Sequence, residues 1–412
     1  MSSAGRLGIL LPGMGSVAST FIAGVIAARQ GLAAPVGALS QLGRVGNQSM
    51  TEALNLAALD DIVFGGWDPY TGNMADAARK AEVLQDDILE KVSQELLQIQ
   101  PMSAVFDEKW TEALTGTDNV KTGSLWEQAQ ELRTDIQSFK AINNLDRVVC
   151  VWTASTEAYI LPTEVHQTIE SFEEGLRNSD PSISPSQVYA YALVQEGIPV
   201  ANGSPNLMFN FPAMQDLACQ RDVAISGRDF KTGQTLVKTA IAPMFASRML
   251  GVDGWFSTNI LGNRDGLVLS REENFKSKEA TKGGVLDGIL DAEEHPDLYG
   301  DIDHMVRINY YPPKGDEKEG WDNINFFGWM GYKMELKINI LCKDSILAAP
   351  IVLDLALFMD AAAQAGQRGV IDWLGFYFKE PMTRDATDVP VHHLYEQETI
   401  LHEALMKLAV EV

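Results

Sequence analysis

The sequence predicts an α/β fold with a second, strand-rich unit inserted into it. Three features predict this. A short apolar run, a glycine turn and a helical run follow one another near the N-terminus. Short apolar runs then alternate with helical segments up to about residue 236, as expected of a parallel sheet covered by helices. Beyond that point strand-like runs at 255–261, 305–311 and 332–341 follow without a helix between each pair, which reads as a mainly antiparallel α+β insert.

Residues 6–11 form the first apolar run, of strand length. Gly13, Met14, Gly15, Ser16, Val17 and Ala18 then give the pattern G-x-G-x-x-A, and residues 21–29 read as a helix. Strand, glycine turn and helix in this order indicate dinucleotide binding, because the glycines let the backbone approach a pyrophosphate at a helix N-terminus. Residues 36–39 are expected to form the second strand. Ser40 and Gln41 stand where an acidic residue usually ends that strand and holds the adenosine ribose. The motif alone therefore does not select NAD over NADP.

Residues 62–64 read as another strand, ending at Gly65, Gly66, Trp67 and Asp68. Residues 75–98 read as one long amphipathic helix, stopped by Pro101. Residues 110–144 are expected to hold two helices and loops. The β-branched run 147–152 is a strand that delivers Thr153 to Glu157 to its C-terminal end, where open α/β sheets bind ligands. Residues 170–186, polar and interrupted by Pro181 and Pro185, are expected at the surface. Helices at 189–195 and 214–220 and strands at 199–201 and 223–226 complete the first part. Residues 314–319 read as a charged loop without a role, and 346–359 as a strongly apolar helix.

The 412 residues carry a net charge of −24 and are 46% hydrophobic. That supplies a large core and argues against a nucleic-acid or membrane surface. No long uninterrupted apolar span of membrane type is evident. Cys150, Cys219 and Cys342 lie far apart, without metal-ligand spacing. They read as buried small hydrophobes in a reducing, cytoplasmic setting, and no metal site is expected. No histidine forms a triad or metal pair, and His392, His393 and His402 read as solvated. Neither Ser16 nor Ser204 sits in a nucleophile elbow.

Within this acidic chain, residues 227–282 form a basic island of nine cations and six anions. A small phosphorylated metabolite would account for it, as would a solvated surface of mixed charge. Lys278 and Lys282 are four apart, so a helix would place both ammonium groups on one face, where each lowers the other's pKa. Thr232, Gly233 and Gln234 open an apolar run, a pattern suited to backbone N–H groups gripping phosphate oxygens at a helix start. Asp229 reads equally as a helix cap, and Asn259, Asn263 and Asp265 as turn formers.

The stretches GRDFKTGQT (227–235), STNILGNRDG (257–266) and FKSKEATK (275–282) resemble the myo-inositol-1-phosphate synthase family. So do FGGWD (64–68), VWTASTEAY (151–159), NGSPN (202–206), DSILAAPIVLDL (344–355) and FYFKEP (376–381), and the likeness covers nearly the whole chain. The resemblance implies a Rossmann-type NAD-binding domain formed by 1–236 and 344–412, with 237–343 inserted as a catalytic and oligomerisation domain. It implies a cytoplasmic homotetramer that isomerises glucose 6-phosphate to 1D-myo-inositol 3-phosphate with recycled NAD, the first step of inositol and phospholipid biosynthesis. It places Asp229, Lys278, Lys282 and Lys379 among the catalytic residues. It assigns substrate contacts to Thr232, Gly233, Gln234, Asn259 and Asn263. Its cofactor set is Gly13, Gly15, Ser16, Val17, Trp67, Asp68, Thr153, Thr156, Gly203, Asp229, Asp265, Asp344 and Ser345. One departure stands out. A further family lysine is expected in an I-K-Y-like triplet, which here reads Ile308-Asn309-Tyr310; Arg307, on the same side of a strand, is the substitute cation. A conventional NAD-dependent sugar-phosphate dehydrogenase and a catalytically silent nucleotide-binding paralogue also fit the sequence.

Overall fold

The computed structural model describes residues 5–111, 114–262, 285–385 and 387–411. Strand β1 (Leu7–Pro12) is buried at every residue, as a parallel strand covered on both faces must be. Helix α1 (Ser16–Arg29) follows the glycine turn, and α2 (Leu39–Leu42) is a single turn. Strand β2 (Ile62–Asp68) leads to α3 (Met74–Ala81) and α4 (Asp86–Leu96). Next come β3 (Met102–Ser103), α5 (Leu125–Asn143) and β4 (Arg147–Trp152). Helices α6 (Ile169–Asn178) and α7 (Pro185–Gln195) precede β5 (Val200–Asn202). Helix α8 (Pro212–Gln220) precedes β6 (Ala224–Gly227). Helix α9 (Gly233–Ser247) leads to β7 (Gly251–Leu261), β8 (Asp303–Tyr310), β9 (Glu317–Phe327) and β10 (Lys333–Lys343). The chain then returns through α10 (Asp344–Gln364), β11 (Gly369–Val370) and α11 (Leu394–Glu411).

Seven strands form one parallel sheet in the order β11-β6-β5-β4-β1-β2-β3. Strand order reverses between β1 and β4, the crevice where such sheets bind nucleotides. Leu7, Ile9 and Leu11 join one core cluster and Leu10 the other, as the two-residue period of a strand requires. On the first face α1 packs on α10, burying Phe21, Ile22 and Val25 with Val352, Ala356 and Met359. On the second, α5 and α7 meet through Leu132, Ile136, Val188 and Leu193. A four-stranded sheet, β8-β7-β9-β10, has two antiparallel pairings and one parallel one, between β8 and β7. Phe245 of α9 and Trp255 of β7 anchor its separate core.

Several sequence expectations are corrected. Residues 36–39 are not a strand: Val36 is exposed, Gly37 lies at φ +92°, and the Leu39 and Ser40 N–H groups each donate to the Asp354 carboxylate at 2.8 Å. That carboxylate starts α2 in place of a strand, and β2 is the strand beside β1. The helix expected over 75–98 breaks at Glu82, which adopts φ +55°. Residues 110–144 hold one described helix, α5, opened by a Ser124–Glu127 capping box. The polar stretch 170–186 is no surface excursion, since its charges ride the outer face of α6 while Phe172, Leu176 and Ile183 are buried. Residues 314–319 run into β9. Cys219 is exposed and His392 only partly so. Helix α10 is long and apolar enough to cross a membrane, contrary to expectation, but it is a buried core helix carrying Asp354 and Asp360.

Candidate active site

The C-terminal ends of β1, β2, β4, β5 and β6 open onto one cavity of about 560 Å³. Gly13, at φ +83°, has no room for a side chain, because a Cβ would lie 2.3 Å from the Ala154 Cα. A Cβ on Gly15 would meet nothing within 4 Å, so this glycine opens space into the cavity. Helix α1 starts there with no side-chain cap and no acidic residue in its first turn. Its free N–H groups suit a pyrophosphate. Thr153 Oγ1 donates to the carbonyls of Pro12 and Gly13 at 3.1 and 2.9 Å, locking the ends of β4 and β1 together. Asp68 ends β2, the position of the ribose-binding acid that was sought at residue 40; its Oδ1 accepts the Tyr70 N–H at 3.1 Å. Trp67 also lines the cavity, although its indole N–H is spent on Asp135 at 2.8 Å. These features fit a dinucleotide.

The deeper end of the cavity is charged. Residues 227–231 run antiparallel to 377–382. Lys379 N–H donates to Asp229 O at 2.7 Å, Arg228 N–H to Glu380 O at 2.8 Å, and Lys231 N–H to Tyr377 O at 2.8 Å. The side chains cross this ladder as two ion pairs, Arg228–Glu380 and Asp229–Lys379, the latter at 2.8 Å. Asp229 adopts φ +62°, a left-handed conformation that aspartate tolerates better than most residues.

A third pair joins Lys318 Nζ of β9 to Asp344 Oδ2 at 3.1 Å, and Thr232 Oγ1 donates to Asp344 Oδ1 at 2.8 Å. Burial opposes the Asp344 charge, but Lys318 and then Lys379 outweigh it and hold its carboxyl well below the usual range. Burial likewise opposes the Lys318 charge, and Asp344 outweighs it, so that pKa is raised.

The cofactor set Gly13, Gly15, Ser16, Val17, Trp67, Asp68, Thr153, Thr156, Gly203, Asp229, Asp344 and Ser345 thus lines a single cavity, with Thr232 and Lys379. Other expected residues stand apart from it. Gln234 Nε2 donates to Thr258 O, Trp321 O and Asp322 Oδ2, and its Oε1 accepts from Asn259. Both amides are therefore buried behind the first turn of α9, next to Gly233, rather than in the cavity wall. Arg307 lies on the exposed face of β8, and Asn309 donates its amide to Thr258 Oγ1 at 3.0 Å. Lys278, Lys282, Asn263 and Asp265 lie outside the described residues. Sequence reasoning missed Lys318. A period-two reading back from Ile324 through Asp322 and Gly320 puts it on the inward face, whereas Asn309 lies on the exposed side of β8.

Comparisons agree with this geometry. The NAD-binding family model described as myo-inositol-1-phosphate synthase matches residues 7–406. Inositol-3-phosphate synthase 1 of Bacteroides thetaiotaomicron is 50% identical, over 99% of this chain and 96% of the relative. The inositol-3-phosphate synthase of Sesamum indicum is 34% identical, over 97% of this chain and 85% of its own. The crystal structure of inositol-3-phosphate synthase from Caenorhabditis elegans superposes with a TM-score of 0.91 at 26% identity, covering 98% of this chain and 86% of that one. A myo-inositol-1-phosphate synthase-related protein from Thermotoga maritima shares the fold at a TM-score of 0.75 and 24% identity, over 97% and 98% of the two chains. With the twelve expected cofactor residues lining one cavity and a family match over almost its whole length, the chain belongs to the myo-inositol-1-phosphate synthase family.

Proposed function

We propose that the chain converts D-glucose 6-phosphate to 1D-myo-inositol 3-phosphate. The observation that carries this reading is the convergence of the Asp229–Lys379 and Lys318–Asp344 pairs on the cavity that also holds the dinucleotide residues. When bound, NAD supplies reversible oxidation of the sugar at C5, with no net redox change. The C5 ketone acidifies the C6 proton, and the resulting carbanion closes the ring on the C1 aldehyde. Each stage develops negative charge on oxygen, and a preorganised donor at such an oxygen contributes about 3–4 kcal/mol. Lys379, with Asp229 as its partner, moves the proton of the C5 oxygen. Lys318 adds a further ammonium beside Asp344. The first turn of α9, from Thr232, cradles the phosphate.

Lys379 and Lys318 are each already matched by a carboxylate, so a phosphate dianion needs further cations. Lys278 and Lys282 fill that need: Lys278 stabilises the developing oxyanions, and Lys282 grips the phosphate and assists ring closure. Lys278→Ala is expected to lower kcat by about 10²-fold with cofactor binding retained. Lys282→Ala is expected to raise KM as well. Incubation with glucose 6-phosphate and NAD, read by phosphorus NMR, tests the whole reading. Inositol phosphate without net NADH supports it, whereas accumulating NADH identifies a dehydrogenase and no turnover a silent paralogue.

The domain division is 1–236 with 344–412, and 237–343 between them. The insert is the centre of a cytoplasmic homotetramer. Phe256, Met305, Trp321 and Leu341 on the outward face of the second sheet, and Leu236 and Met244 on α9, are large, apolar and exposed, which supports self-association. A monomeric mass by light scattering at micromolar concentration counts against it.

A further inference from the structure

Lys231 is the last rung of the ladder, yet its ammonium points away from the cavity and beneath the C-terminal helix. It is 4% exposed. Its Nζ donates to Gln397 Oε1 of α11 and lies 5.3 Å from the centre of the Phe376 ring. Burial pushes its pKa down to about 7, so a lysine this poorly solvated depends heavily on its one side-chain acceptor. Gln397 is 3% exposed and fully engaged: its Nε2 donates to Gly375 O at 3.1 Å and to Val391 O at 2.6 Å. One amide therefore joins three segments. These are the strand that carries Asp229, the turn that leads into Lys379, and the tail that leads into α11. Leu401, Leu405 and Leu408 fix α11 itself in the core. No described carboxylate contributes to the Lys231 pKa, and partly buried His392 beside it is pushed down to about 4, by burial first and then by Lys231, so it is neutral near pH 7.

We propose that Gln397 is a positioning residue for the reaction: from α11 it holds the Lys231 ammonium and so keeps the ladder of residues 227–231 and 377–382 in the register that sets Asp229 against Lys379. The inference rests on the proton-traffic role given to that pair. It gives α11, none of whose described residues lines the cavity, a share in turnover.

The test compares Gln397→Leu, Lys231→Met and Lys231→Arg in the full-length enzyme. Gln397→Leu is expected to lower kcat by about 10- to 100-fold, with KM and NAD affinity within about twofold, because only the reacting geometry is disturbed. Amide exchange should accelerate at 227–231 and 377–382 and stay unchanged in β1 and β4. Lys231→Met should reproduce both effects, and the double variant should be no worse than the poorer single one. Lys231→Arg keeps a donor for Gln397 and should retain kcat within about threefold of the parent. Uniformly faster exchange, or equal losses in Lys231→Arg and Lys231→Met, overturns the proposal, since a purely structural role predicts them. Asp229→Asn separates the two layers. If it is fully active, the proton-traffic reading fails and the latch with it. If it is inactive beside a fully active Gln397→Leu, the latch alone fails.

Discussion

Asp229 Oδ1 and Lys379 Nζ lie 2.8 Å apart across a separation of 150 residues, each on one strand of a short antiparallel ladder. Both side chains are largely shielded, at 12% and 18% exposure, so the pair acts in a medium where charge is felt strongly. Lys379→Met is expected to lower kcat by about 10²–10³-fold while NAD titration by tryptophan fluorescence remains near normal. Cofactor affinity falling in parallel with kcat would place Lys379 in nucleotide binding instead.

Lys318→Met leaves the partly buried Asp344 charge without its main offset. Stability at pH 7 should fall by about 1–2 kcal/mol, less than the cost of breaking a fully buried pair. The sign follows from the depressed Asp344 pKa: its contribution is present above the ordinary carboxyl range and is lost as pH falls towards the lower folded-state value. The gap between parent and variant should therefore start to narrow only below about pH 4 and keep narrowing as pH falls further, and urea midpoints at pH 7, 4 and 2 check this.

The two glycines of the N-terminal turn should respond differently. Gly13→Ala forces a Cβ into the Ala154 backbone at φ +83°, so both thermal stability and NAD binding should be lost. Gly15→Val meets no protein atom near its Cβ, so its melting temperature should stay close to the parent's while NAD affinity drops by about 10²-fold or more. Calorimetry with and without NAD separates the two. Normal NAD affinity in Gly15→Val removes the turn from the cofactor site.

Asp354 is pushed up to about 6 by burial, despite hydrogen bonds from Ser40, Leu39 and Tyr377. The raised value means that its contribution is complete below the unfolded value near 4 and is lost as pH rises through 6. Asp354→Asn should flatten the pH dependence of stability between about 4 and 6, by about 2–3 kcal/mol over that window. Asp360, also raised to about 6, leaves part of the slope in place. Urea midpoints measured across this range decide it; an unchanged slope assigns the titration elsewhere.

The sequence was readable where local chemistry and tertiary packing agree. The run 147–152 became β4 unchanged, because every residue after Arg147 is buried in a parallel sheet and the β-branched pattern states as much. The Gly13–Val17 turn was legible for the same reason. Residues 36–39 misled because the deciding partner, Asp354, lies more than 300 positions away. Lys318 was hidden by its setting among charges at 314–319, where a solvated loop and a strand edge look alike until pairing with β7 and β10 is known. Asp68 entered the expected cofactor set through the family resemblance alone; that it stands at the end of the strand beside β1, where a ribose-binding acid usually lies, follows only from topology, not from composition.

The packing of α1 on α10 has a consequence for biosynthesis. The helix that opens at the glycine turn is translated within the first 29 residues, but the helix that packs on its apolar side ends at residue 364. A nascent chain stalled in the insert already possesses the glycine turn and strands β1 to β6, and Phe64 of β2 already meets Phe21, but the side of α1 that α10 covers is still without its partner. Premature termination anywhere before α10 is therefore expected to leave an apolar stripe of α1 open to the quality-control machinery rather than a closed smaller module.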